Sequence, residues 1–86
     1  MDKIKIKEEL KAFFINNFTI NEKLLSNDIN IFDELGIDSL GMVLIITFLE
    51  KTYKIEIEQK EIVLDNFESI NTLSNYIEKK LSSESI

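Results

Sequence analysis

Leu35-Gly36-Ile37-Asp38-Ser39-Leu40 decides how the rest of the chain is read, because a non-helical approach gives way there to a helix. Gly36 breaks the chain, Asp38 offers a carboxylate to a free backbone N–H, and an apolar helical run follows. The spacing predicts a helix that starts at Asp38 or Ser39 and runs to about Tyr53. Placed at about 100° per residue, Met42, Ile45, Ile46, Leu49 and Tyr53 share one face, the expected core stripe. Leu40, Leu44, Thr47 and Lys51 fall on the opposite side, with Val43 and Phe48 on the flanks. The helix is therefore apolar nearly all round, and such a helix is either fully buried or carries an interaction surface.

Working upstream, Ile6, Leu10, Phe13, Phe14 and Phe18 recur at helical spacing, so Asp2 to about Phe18 reads as a first helix with Asp2 as its N-cap. From Thr19 to Asp38 the periodicity fades, yet Ile20, Leu24, Leu25, Ile29, Ile31, Phe32 and Leu35 are too apolar for a solvated linker. This reads as a packed loop with a short helical turn around Glu22 to Leu25. A loop of that length inside a small domain must be functional or held by its own side chains. Downstream, a short third helix is expected between Gln59 and Leu64. A last helix follows, with Ser69 as N-cap and Ile70, Leu73, Ile77 and Leu81 inward. Tyr53 and Tyr76 read as packing residues, and Ser82 to Ile86 as a frayed tail. The expected architecture is a single all-α domain over residues 1–86, a bundle of three long helices and one short one with a long first loop.

The 86-residue chain has no Cys and no His, which removes disulfides, the usual zinc sets, thiol nucleophiles and the commonest general base. Sixteen acids against ten bases give a net charge of −6, which argues against nucleic acid and for basic protein partners. The acids cluster: Thr19 to Leu40 and Ile55 to Ser69 each carry five acids against one lysine. The acidic loop with Asp28, Asn30 and Asp33 lacks the ligand spacing and central glycine of a calcium-binding EF-hand, so no metal site is expected. No apolar run approaches bilayer-spanning length, and the chain reads as a cytoplasmic monomer without membrane insertion.

The Leu-Gly-Ile-Asp-Ser-Leu string resembles the attachment motif of phosphopantetheine-binding acyl and peptidyl carrier proteins, whose core is Asp-Ser-Leu at the start of the second helix. Phe32 and Leu35 resemble the loop anchors before that motif, and Asn66-Phe67-Glu68-Ser69-Ile70 resembles the turn into the last helix. The resemblance covers nearly the whole chain, at the length of a freestanding carrier. It implies a 4′-phosphopantetheine arm, derived from coenzyme A and attached covalently to Ser39 by a phosphopantetheinyl transferase. It further implies acyl or aminoacyl cargo held as a thioester, exchanged with adenylating or acyl-transferring enzymes and downstream synthases. Asp38 would cap the helix at the attachment site.

The residues agree with this without the name. A serine hydroxyl is a weak nucleophile without a base, and there is no His in the chain and no Lys beside Ser39 in the sequence. Ser39 is better read as an acceptor that another enzyme modifies, so the chain is expected to be no enzyme. An unmodified helical interaction module keeping the same fold is the alternative. Leu40, Val43, Leu44 and Thr47 are the expected partner-binding residues. Carriers of fatty-acid synthesis typically have an acid-rich second helix, whereas Gly41 and Leu44 stand here at usually polar positions. Among fatty-acid, polyketide and nonribosomal-peptide type pathways, that favours a dedicated one, of peptidyl, aminoacyl or polyketide type, over a housekeeping one.

Overall fold

The computed structural model describes residues 2–84. Its helices are α1 (Lys3–Phe18), α2 (Ser39–Tyr53), α3 (Leu64–Phe67) and α4 (Ile70–Glu84), with 3-10 turns at Glu22–Leu24 and Gln59–Glu61. The order is the expected bundle of three long helices and a short one.

Each long helix starts on a side-chain cap, which satisfies an amide that helix geometry leaves without an internal partner. Asp2 Oδ1 accepts from the Ile4 amide at 3.0 Å, and Asp38 Oδ1 accepts from the Gly41 amide at 3.0 Å. At α4 the exchange is reciprocal: Ser69 Oγ accepts from the Thr72 amide at 3.2 Å, and Thr72 Oγ1 accepts from the Ser69 amide at 2.9 Å. The inward faces build one core, with Ile6, Leu10, Phe14, Ile45, Leu49, Ile70, Leu73 and Ile77 fully shielded. Tyr53 and Tyr76 are buried among them, as expected of packing residues.

α1 and α2 run antiparallel. Phe18 lies beside Gly41, the Phe13 ring stacks on Phe48 with centroids 4.1 Å apart, and Glu9 accepts a hydrogen bond from Tyr53. The start of α2 therefore sits at the end of the bundle where α1 finishes.

The long loop is packed and tied down. Leu25, Ile31 and Ile37 are buried. Asn30 Oδ1 accepts from the amides of Phe32 and Asp33, both at 2.9 Å, closing a turn on itself. The Ile31 amide donates to the Glu68 carbonyl at 2.9 Å, and the Asn71 amide to the Asn27 carbonyl at 2.9 Å. The side chains of Asn71 and Asp28 are also hydrogen-bonded. Gly36, at φ +69°, adopts the left-handed conformation that lets the chain turn out of this segment towards α2.

Two boundaries differ from expectation. The segment Gln59–Leu64 is not one helix: Gln59–Glu61 forms a 3-10 turn closed by a capping box between Glu58 and Glu61, and α3 begins only at Leu64. Val63 between them is extended, a conformation its β-branched side chain favours, and its carbonyl accepts from the amides of Asn66 and Phe67 to start α3. The tail expected from Ser82 is helical through Glu84, because α4 keeps its backbone hydrogen bonding beyond its last inward apolar residue, Leu81. Ser85 and Ile86 lie outside the described residues.

Candidate functional site: the capped start of helix α2

Ser39 is the first residue of α2 and is exposed. The neighbouring Asp38 is extended, at φ −101° and ψ −167°, and turns its carboxylate back onto the Gly41 amide. That carboxylate is thus engaged in the cap. A fifteen-residue helix presents the positive end of its dipole at its first turn, where unpartnered amides favour an anion. A phosphodiester on the Ser39 oxygen would sit at that end in open solvent. The residues present therefore fit the group: an accessible hydroxyl, a helix start, and a cap that fixes the turn.

The outer face of α2 is apolar and uncovered. Leu40 is 76 % exposed, Val43 60 % and Leu44 50 %. Thr47 is exposed as well, but its hydroxyl donates to the Val43 carbonyl at 2.8 Å, so it contributes its methyl group more than a free polar group. The expected core stripe lies on the other side, with Ile45, Leu49 and Tyr53 buried and Met42 and Ile46 half-buried.

Three features of burial were not anticipated from the sequence. Gly41 is buried against Ile37 and Phe18, and its spacing from Ile45 and Phe48 along one helical side was the available signal. Phe67 anchors α3 at 1 % exposure. Val63 and Leu64, at the start of α3, are exposed apolar residues that the displaced helix boundary had hidden.

A shift towards acid strength lies away from the serine. Glu61 is held below the usual carboxylate range by the Glu58 amide it accepts from, and further by the Lys80 ammonium and Tyr76 hydroxyl, against the opposing effect of burial. Lys80 Nζ lies 3.1 Å from Glu61 Oε1. Among the described residues, no cluster of three or more His, Cys, Asp or Glu side chains is placed to hold a metal ion, and no helix is long and apolar enough to cross a membrane.

The fold and the site together are a helical bundle with an exposed serine at a capped helix start, beside an exposed apolar face. Residues 8–77 match the phosphopantetheine attachment site family. The chain is 35 % identical over 78 residues to the acyl carrier protein of Buchnera aphidicola subsp. Acyrthosiphon pisum (strain Tuc7), covering 87 % of this chain and 91 % of that one. It is 26 % identical to the acyl carrier protein of Phytoplasma australiense, over 90 % of this chain and 99 % of that one. With the mitochondrial acyl carrier protein of Saccharomyces cerevisiae it shares 33 % identity over 85 % of this chain and 57 % of that one. The chain belongs to the acyl carrier protein family, whose domain bears a covalently attached 4′-phosphopantetheine. It is a carrier and not a catalyst, and carriers of this family work with phosphopantetheinyl transferases and with synthase or acyltransferase enzymes.

Proposed function

We propose that Ser39 is the attachment residue, and that this domain, as a monomer, carries acyl or aminoacyl intermediates for a specialised pathway of polyketide or nonribosomal-peptide type. The observation that carries the first part is the exposed Ser39 hydroxyl at the start of α2, beside an Asp38 carboxylate engaged with the Gly41 amide. Ser39 supplies the oxygen that forms the phosphodiester, and the helix start favours the resulting negative charge. Asp38 holds the turn so that the oxygen is presented in one place. When attached, the arm supplies a thiol that carries cargo as a thioester, so the protein contributes tethering and address.

The preference for a specialised pathway rests on the outer face of α2, where Leu40, Val43 and Leu44 are exposed and apolar. Adenylating or acyl-transferring enzymes and downstream synthases would dock on this face, with Thr47 at its edge. The acids of the flanking segments would speed approach more than they hold the complex.

The test is intact-mass measurement after incubation with coenzyme A, magnesium and a broad-specificity phosphopantetheinyl transferase. One phosphopantetheinyl group should be added to the parent and none to Ser39→Ala, which should still fold. Labelling of the alanine variant would reject Ser39, and no labelling of the parent would favour an unmodified interaction module.

A further inference from the structure

Gly41 is buried, while Ser39 and Leu40 just before it are exposed. A Cβ on Gly41 would stand 2.6 Å from Ile37 Cγ2 and 3.2 Å from Phe18 Cε1. The first distance is far inside van der Waals contact, and the atom met is not the loose end of a long side chain. Ile37 Cγ2 hangs directly from the Cβ of a β-branched residue with few rotamers. Ile37 is only 7 % exposed, and its amide is bonded to the Ile31 carbonyl at 3.2 Å. Phe18 is held as well, with its ring centroid 5.6 Å from that of Phe14 and 5.8 Å from that of Phe13. Neither neighbour can move aside freely, so an added methyl would push on the turn that carries Asp38 and Ser39. Helix propensity alone would favour alanine over glycine inside a helix. The glycine therefore gives up local helix stability in return for close approach.

We propose that Gly41 is a positioning residue for the modification of Ser39: its missing side chain seats the first turn of α2 against Ile37 and Phe18, and that contact fixes the Asp38 cap and the Ser39 hydroxyl. The proposal rests on Ser39 as the attachment residue. Gly41 touches neither coenzyme A nor the reacting oxygen and acts through the turn.

The test is a cycle of parent, Gly41→Ala, Ile37→Ala and the double variant, each assayed well below its own melt. Transferase kinetics with coenzyme A give one readout, and amide hydrogen exchange at residue 41 gives the other. In the parent background Gly41→Ala should lower kcat/KM by about 10-fold to 100-fold, chiefly in kcat, because the hydroxyl is misplaced. Its residue-41 amide should exchange faster as the Asp38 cap loosens. In the Ile37→Ala background, where the clashing atom is gone, the same change should have little effect on either readout. A merely structural glycine would lower the melting temperature and leave kcat and the amide unchanged below the melt, which overturns the proposal. Equal losses in both backgrounds overturn it too. Should Gly41→Ala not fold, a folded double variant modified at the Ile37→Ala rate supports the proposal, and an unfolded one rejects it. An unmodified parent would defeat the Ser39 assignment, and the exchange cycle would then decide the Gly41 contact alone.

Discussion

The Tyr53 hydroxyl donates a hydrogen bond to Glu9 Oε1 at 2.8 Å, joining the last residue of α2 to the middle of α1. Burial of the ring, and then the Glu9 carboxylate, push the phenol well above its ordinary value of 10.0. The neutral phenol is thus favoured by folding. Its contribution to stability is complete below about pH 10 and is lost as pH rises through the folded-state value. Tyr53→Phe should cost about 1 kcal/mol in urea unfolding at neutral pH. In an absorbance titration Tyr53 should form phenolate only as the chain unfolds; ionisation near pH 10 in the folded protein would contradict the hydrogen bond.

Ile45 and Leu49 are completely shielded on the inner face of α2. Truncating either to alanine should cost about 2–5 kcal/mol. Domains of this kind hold roughly 5–15 kcal/mol in total, so either change should weaken or abolish the cooperative melt. Lys51→Ala, on the exposed side of the same helix, should stay within about 0.5 kcal/mol of the parent. Equal effects of the two kinds of change in urea titrations would mean that the helix faces are misassigned.

Leu44 is half exposed, so Leu44→Glu places a carboxylate in water and should leave the melt little changed. Burial would instead have made the unpaired charge costly. Modification of Ser39 should persist or slow only modestly, while loading by the cognate adenylating or acyl-transferring enzyme should fall about tenfold or more, the scale of a lost interface anchor. Raising the salt should slow association through the flanking acids and leave the apolar contact largely intact. Loading of a folded Leu44→Glu variant at the parent rate would remove this face from the docking account.

Glu61 lies below its ordinary value of 4.5, so folding favours its charged form. Its contribution is fully present above about pH 4.5 and is lost as pH falls through the lower, folded-state value. Thermal melts of the parent should therefore drop on acidification through this window, and Glu61→Gln should be less stable at neutral pH and show a shallower drop. Parallel pH profiles for the two would show that the Glu58 amide and Lys80 do not favour the charged form.

Periodicity and capping are local, and what they govern was legible in the residues. Asp2, Asp38 and Ser69 each cap the helix expected of them, and the inward face of α2 follows from spacing alone. The same reading placed the short helix too early, because whether Gln59–Glu61 continues into α3 depends on a reciprocal Glu58–Glu61 cap and an extended Val63 rather than on apolar spacing. It also stopped the last helix at Leu81, since periodicity marks where packing ends and hydrogen bonding goes further. The sequence by itself determined an all-helical carrier with a serine at a capped helix start. Tertiary structure alone decided that the outer side of α2 remains uncovered, that the long loop is pinned to the α3–α4 corner through Ile31, Asn71 and Glu68, and that Gly41 fills the gap between Ile37 and Phe18. Those outcomes depend on residues tens of positions apart being brought into contact, and no local pattern encodes which of them meet.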